Sequence, residues 1–425
     1  MVLNVNKTKS MKTIKLFFLL CMTSFCLFSQ TATGDLEDYI ATKISNAPGS
    51  SGNNYVVPTA ANLTVWNTVI DAVLVNNIST ARTNAASLNY QVTEFTDTSL
   101  SPNQVFYVLE EKSNQTNYWG TYVFSQTPIR NNLVIQAPHS KYDTNTGKEA
   151  VHCFKNLVAK ALFINGTHRC NNSNASSCSG TTSTCGSTAA FRVSDLAHNT
   201  VSVFQKTTEN VFNTVSNSIF IQLHGFGKKS TDPYVIISNG TRITPTIDYA
   251  AQLKSALLAV DANLTFKLAH IDTGWTRLIG FTNTQGRLVN NSADYCNTSA
   301  TSTSGRFIHV EQEKSKLRAD VSGWAKMKTA LSNVFSSTLG VDAYELEKEI
   351  LISPNPTSGL IKVKGENIKK IEVLNQLGQT VQVLNHTKNS NTVLVSLKNQ
   401  ATGVYFLKIE TSKGVLKKKI IKNKP

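Results

Sequence analysis

Several familiar devices are missing from this chain. No G-x-S-x-G elbow is present, which argues against an α/β-hydrolase serine esterase. Gly225 to Ser230 reads Gly-Phe-Gly-Lys-Lys-Ser but lacks the G-x-x-x-x-G-K-[ST] spacing of a phosphate loop, so nucleotide binding is not expected. There is no C-x-x-C pair, which leaves little basis for a zinc finger. No repeat of solenoid period recurs. After the first 30 residues no apolar run is long enough to cross a bilayer, so no transmembrane segment is expected.

Charge is abundant but unevenly placed. The formal net charge is +15 with a pI near 9.4, a balance that would ordinarily suggest a nucleic-acid partner. Four Lys and no acid lie in the first 30 residues, and residues 350 to 425 hold thirteen Lys against Glu366, Glu372 and Glu410. The middle is left near +1, so no nucleic acid is expected there.

Both ends read as addresses. From Met11 the order is Lys12 and Lys15, then LFFLLCMTSFCLF, then small and polar residues around Ser29 and Gln30, the order of a secretory signal over residues 1–30. After a short linker at 344–349, residues 350–425 carry short alternating apolar segments separated by Gly, Asn and Pro, the pattern of a small antiparallel β-sandwich. Within it Ser353 to Gly359, Gly403-Val404-Tyr405 and the Lys-rich last strand resemble the C-terminal sorting domain of the type IX secretion system of Bacteroidetes. That resemblance implies export through the outer membrane of a Gram-negative bacterium, with the protein secreted or held at the cell surface and the secretion machinery as a partner.

Residues 31–343 remain, enough for one large domain. The runs LVIQAPH, ALFINGTHR and IFIQLH alternate with amphipathic helical stretches such as GKEAVHCFKNLVAK. This predicts an α/β fold, a three-layer domain with a mostly parallel central sheet, plus the small C-terminal antiparallel β-sandwich. Five cysteines follow the expected leader, Cys153, Cys170, Cys178, Cys185 and Cys296. In an oxidising compartment they suggest two disulfides of unassigned connectivity and one free thiol, with Cys153 on an apolar helix the candidate for it.

The three apolar runs close on His139, on His168 and Arg169, and on His224. Ligands of open α/β sheets sit at the carboxyl ends of such strands. Glu149 falls in the first turn of the helix after His139, and two imidazoles with one carboxylate form a common zinc set. His139, Glu149 and His224 are therefore the expected ligands of Zn2+. The plainer reading of Glu149 is a capping box with Thr146. Gly225 and Gly227 beside His224 are expected to leave room for a substrate or metal near the backbone.

The order strand-His, helix-Glu, strand-Arg, helix, strand-His resembles the zinc-dependent amidohydrolase superfold of N-acetylmuramoyl-L-alanine amidases, N-formylglutamate amidohydrolases and, more distantly, zinc carboxypeptidases. The resemblance spans roughly residues 130 to 320 and departs from the amidase pattern at QLHGFG and in the additional THRCNN and SDLAHNT segments. It implies that His139, Glu149 and His224 hold zinc and that a late-strand carboxylate, Glu311 or Glu313, is the catalytic acid or base. A secreted hydrolase of an amide bond follows, acting on a peptide, a peptidoglycan fragment or an N-acyl amino acid. Arg169 could clamp a substrate carboxylate or pair with Asp195, and His168 and His198 are further candidate substrate contacts. His270 with Asp272 could sit behind the site or be purely structural, and His309 reads as a core residue. A binding or adhesion protein without turnover, and a metal-dependent esterase or phosphatase, are the competing readings.

Overall fold

The computed structural model describes residues 30–335, 350–376, 378–386, 391–411 and 414–424. The expected leader through Ser29, including Cys21 and Cys26, and the expected linker 344–349 lie outside the described residues.

The larger unit is built on ten strands: β1 (Thr31–Gly34), β2 (Tyr90–Asp97), β3 (Gln104–Glu111), β4 (Thr121–Ser125), β5 (Arg130–Ala137), β6 (Ala159–Ile164), β9 (Ile219–Phe226), β10 (Val235–Ser238), β11 (Phe266–Leu268) and β12 (Phe307–Glu313). The two-residue strands β7 (Thr181–Thr182) and β8 (Ala189–Ala190) pair only with each other. The sheet order is β1-β2-β3-β4-β6-β5-β9-β12-β10-β11. Its centre, β6-β5-β9-β12, is parallel throughout, while β3 and β4 run antiparallel to their neighbours and β10 runs antiparallel to β12. Parallel central strands must be covered on both faces, which accounts for their continuous burial.

Helices do the covering. On one face α1 (Leu36–Asn46), α4 (Thr146–Leu157), α6 (Tyr249–Val260) and α8 (Val321–Val334) pack on Ile135, Leu162, Ile221 and Val310. On the other, α2 (Ala60–Leu74), α3 (Ile78–Ala86), α5 (Val203–Thr214) and α7 (Thr284–Val289) pack on Val134, Phe163, Phe220 and Phe307. Successive strand residues point to opposite faces, so each central strand feeds both cores. The three-layer α/β fold expected from the sequence is what the chain adopts. No helix among the described residues is long and apolar enough to cross a membrane.

The smaller unit has two antiparallel sheets. One holds β13 (Leu351–Ser353), β14 (Leu360–Lys364) and β17 (Thr392–Ser396); the other holds β15 (Ile368–Asn375), β16 (Thr380–Asn385), β18 (Gly403–Thr411) and β19 (Gly414–Lys422). Strand β14 shows the logic: Ile361 and Val363 are buried, and Leu360, Lys362 and Lys364 between them face out. Ile371, Val373, Leu407 and Ile409 complete the shared core.

The disulfides are Cys170–Cys185 and Cys178–Cys296, and Cys153 is the free, buried thiol. The cysteine count was legible in the sequence; the pairing was not.

Candidate metal centre

Strands β5, β9 and β12 lie side by side, so their carboxyl ends open together. In the parallel register of β9 and β12, Glu311 is opposite His224 and His309 is opposite Gln222. His139 follows the end of β5. The chain then turns at once: the amides of Tyr142 and Asp143 both donate to the His139 carbonyl, at 2.9 and 2.8 Å. That turn returns the Asp143 carboxylate to its own imidazole.

Three atoms converge there. His139 Nδ1 is 3.0 Å from His224 Nδ1, and Asp143 Oδ2 is 3.4 Å from the first and 3.5 Å from the second. All three side chains are buried. The opposite nitrogens of both imidazoles are already committed. His139 Nε2 is 2.9 Å from Asp195 Oδ1, and His224 Nε2 is 2.7 Å from Gln222 Oε1. A carboxylate can only accept, so His139 must donate from Nε2. Gln222 Oε1 can also only accept, and its orientation is fixed because Gln222 Nε2 donates to Gln136 Oε1 at 2.9 Å and to Gln285 Oε1 at 3.1 Å. Asn283 Nδ2 donates to the same Gln222 oxygen. Both histidines therefore carry their outer proton on Nε2 and turn Nδ1 lone pairs towards Asp143.

The surrounding charges act on this trio in opposite directions. Burial would raise the Asp143 pKa, but hydrogen bonding to His139 and His224 outweighs it and holds the group well below the ordinary range. Burial pushes His224 down to about 4. Burial and Arg169 oppose a charge on His139, yet Asp195 and Asp143 prevail and raise its pKa.

Asp195 is a junction. Its Oδ1 also takes His198 Nδ1 at 3.0 Å, and its Oδ2 takes Arg169 Nε at 3.1 Å and Nη2 at 2.7 Å. Burial would lift its pKa, but Arg169, His198 and His139 together hold it well down. The Asp195 partner considered for Arg169 from the sequence is the one the structure contains.

A cavity of about 430 Å³ opens over the cluster. His139, His224, Arg169, His198, His309 and Glu311 line it on the side of the cluster. Glu311 Oε2 and His309 Nδ1 are buried without a hydrogen-bond partner, and burial followed by the nearby Asp143 charge raises the Glu311 pKa. His309, expected in the core, faces the cavity instead, with its ring centroid 4.4 Å from that of His224.

The other expectations fare differently. The carboxylate that the structure brings against the two imidazoles is Asp143 and not Glu149. Glu149 does stand in the first turn of α4, but it is buried under the sheet, where its Oε2 accepts from Gln312 Nε2 at 2.8 Å. Burial pushes its pKa up to about 8. The Thr146 capping box does not form either: Asn145 is the N-cap in a left-handed conformation with φ 69°, and Thr146 Oγ1 donates to the Asp143 carbonyl at 2.8 Å. Glu313 lies beyond the cavity, where its Oε2 accepts from the Ser315 amide at 2.8 Å and caps the π-helical turn Lys314–Arg318. His168 is outside the cavity lining, with Nδ1 accepting from the Cys170 amide at 3.0 Å and its ring against Tyr142. His270 pairs with Asp248 at 2.8 Å, not with Asp272. Gly225 makes room for the Arg318 guanidinium, which occupies the space a Cβ would need, and its amide donates to Asp143 Oδ2 at 3.1 Å.

Three sets of side chains among the described residues could hold a metal ion: His139 with Asp143 and His224, His139 with Asp195 and His198, and His224 with His309 and Glu311. Only the first has outer nitrogens already tied to acceptors. The second spends Asp195 on Arg169.

Known proteins divide the chain in two. Residues 351–423 match the secretion system C-terminal sorting domain family. The smaller unit is a sorting domain. It is the tag of type IX export in Bacteroidetes, so the protein is secreted or displayed at the cell surface, and the sorting domain supports contact with that secretion machinery. No curated protein sequence matches the chain. Among solved structures, an N-formylglutamate amidohydrolase from Ralstonia eutropha JMP134 aligns with a TM-score of 0.31 and 8% identity, over 51% of this chain and 96% of its own. An aspartoacylase family protein from Mesorhizobium loti MAFF303099 aligns with a TM-score of 0.25 and 11% identity, over 76% of this chain and 94% of its own. Likeness of that degree carries no argument about chemistry here.

Proposed function

We propose that the larger unit is a secreted zinc-dependent hydrolase of an amide bond, with His139, Asp143 and His224 as the metal ligands. The observation that carries this reading is the convergence of three acceptors on one point with no donor among them. Two Nδ1 lone pairs and a carboxylate oxygen repel one another unless a cation or a proton lies between them. Their separations of 3.0, 3.4 and 3.5 Å suit zinc: bonds of about 2.0–2.1 Å in a tetrahedral site set ligand atoms roughly 3.3 Å apart. The Nε2–H bonds to Asp195 and Gln222 are the outer contacts that metal-binding histidines ordinarily make.

Zinc in this site would lower the pKa of a bound water and polarise a carbonyl. The chain's own groups supply the rest. Glu311, which lines the cavity and pairs with His224 in the strand register, has a buried and unpartnered Oε2 and a raised pKa. A cation held beside it would favour its ionised form, which could then accept a proton from water and return it to the leaving nitrogen. Asp195 fixes the His139 ring and neutralises Arg169, whose remaining donors face the cavity. His309 lines the cavity beside Glu311, with Nδ1 buried and unpartnered. Glu149 and Glu313 stay outside the chemistry.

The test is metal analysis of the purified protein and of its His224→Ala variant, with hydrolysis followed on peptidoglycan fragments and N-acyl amino acids. One zinc per chain, lost in the variant together with hydrolysis, is expected. Full zinc and full hydrolysis in His224→Ala would remove the proposal.

A further inference from the structure

The half of the cavity facing away from the metal cluster is made by two chain segments that the chemistry above does not use. Thr181, Thr182, Thr184 and Phe191 come from the excursion after β6. Thr276, Leu278, Ile279, Phe281 and Thr282 come from the loop before α7. Neither segment contributes a charged side chain to the lining.

The two are fastened together. Cys178–Cys296 joins the excursion to the chain just after α7, across a sequence separation of 118, and Cys170–Cys185 closes the excursion on itself. The Ser179 amide donates to the Cys296 carbonyl at 3.2 Å. Arg287, buried on α7, spans the junction: Nε donates to the Phe281 carbonyl at 2.9 Å, and Nη1 donates to the Cys296 carbonyl at 2.6 Å and to Ser179 Oγ at 3.4 Å. At Gly180, with φ +119°, a Cβ would stand 2.5 Å from the Phe191 ring and 3.3 Å from Thr282 Cγ2, so the segments meet where only glycine fits. Phe191 in turn stacks on His198 at 3.7 Å with the planes 6° apart, and His198 bonds Asp195.

We propose that these two stapled segments form one specificity-determining wall, set by Cys178–Cys296 and Arg287, that accepts an uncharged, amide- or hydroxyl-bearing portion of the substrate and discriminates against acidic ones. It rests on the hydrolase reading for the word substrate, but not for the binding. The threonine hydroxyls can donate and accept, Leu278, Ile279 and Phe281 offer apolar contact, and Arg169, the one Lys or Arg among the described residues lining the cavity, is balanced by Asp195. A carboxylate seated against this wall would lose water without gaining a counter-charge from it. A wall that is held in place before binding also spares the ligand the entropy of ordering it.

The experiment titrates two probes of similar size, uncharged N-acetyl-L-glutamine amide and dianionic N-acetyl-L-glutamate, into the full protein as purified, with zinc content measured in parallel. The uncharged probe should bind the more tightly, even though bound zinc favours the anion. Removing the staple in a Cys178→Ser, Cys296→Ser double variant should weaken the uncharged probe about tenfold by freeing the wall, with zinc retained. Because that variant could fail to fold, Thr182→Arg provides a second arm: it should narrow or invert the preference by adding a cation to the wall. Equal or tighter binding of the acid by the unaltered protein overturns the proposal, as does a preference indifferent to both changes. Failure of both probes with zinc fully held sinks the wall and leaves the metal reading standing. The expected preference in a protein that takes up no zinc does the converse.

Discussion

Two buried carboxylates six residues apart have opposite fates. Asp143 sits in the turn after β5, faces two imidazoles and the Gly225 amide, and is held ionised. Glu149 sits one turn into α4, faces the amide of Gln312, and is held protonated at neutral pH by its burial. Residue type does not separate them, and neither does depth. What separates them is whether the groups they meet can share a positive charge. Asp143, bonded to two imidazoles, is prepared for a cation, while Glu149, bonded to an amide, gives up its charge.

Breaking this contrast at Asp143 should have the largest effect. Asp143→Asn replaces one converging acceptor with a group that can turn a donor towards two lone pairs. Zinc affinity is expected to fall by more than about 100-fold, beyond the range seen when outer partners are removed. Competition with a chromogenic chelator would measure it, and an unchanged affinity would return the ligand set to open choice.

Asp195→Asn comes next, because it strikes both metal affinity and stability. The asparagine cannot accept from His139, His198 and Arg169 together, and Arg169 is left buried without its counter-charge. An uncompensated buried charge costs about 3–5 kcal/mol, and the loosened His139 ring should cost roughly 10- to 100-fold in zinc affinity. Denaturant unfolding with and without zinc separates the two. Gln222→Leu should weaken zinc by a similar 10- to 100-fold factor through His224 alone, since it removes the acceptor that pins the Nε2 proton. Nitrogen chemical shifts of His224 should then report both tautomers where the unaltered protein shows one.

The same contrast explains what the sequence could and could not say. Strands β5, β6, β9 and β12 were legible because continuous apolar runs ending at polar residues leave little choice for a parallel sheet. The ends of those runs pointed to His139, Arg169 and His224, which the structure places around one cavity, and to His168, which it does not; Glu311, taken from the resemblance, lines the same cavity. Asp143 was missed because a turn has no period: only the folded backbone, with two amides returning to the His139 carbonyl, brings position i+4 onto the ring. Glu149 drew attention because helical placement is readable, although which face of α4 meets the sheet was not. His309 shares the face of Glu311 by strand alternation, a signal that was present but outweighed by its apolar neighbours. Gln222, Asn283 and Gln285 left no sequence mark of their role, since their part lies in contacts between distant segments. Helix α3 was not read from the sequence: it buries only Ala81 and Ala85, too small a stripe to stand out.

The smallest effect on metal, and the sharpest test of the contrast, belongs to Glu149→Gln. The folded-state pKa near 8 lies above the ordinary value of 4.5. Between those limits the native protein keeps a proton that the unfolded chain has released, so stability falls as pH rises through the window and levels off above it. The substituted amide carries no proton to lose and can still accept from Gln312. The variant should therefore match the unaltered protein below about pH 4.5 and gain on it up to about pH 8, by on the order of a few kcal/mol. Unfolding midpoints measured across that range would trace the difference curve. Zinc content should not change in the variant, because the residue lies on the far side of Gln312 from Glu311. A variant that lost its zinc would instead put Glu149 back among the ligands and leave the ionised Asp143 without its assigned part.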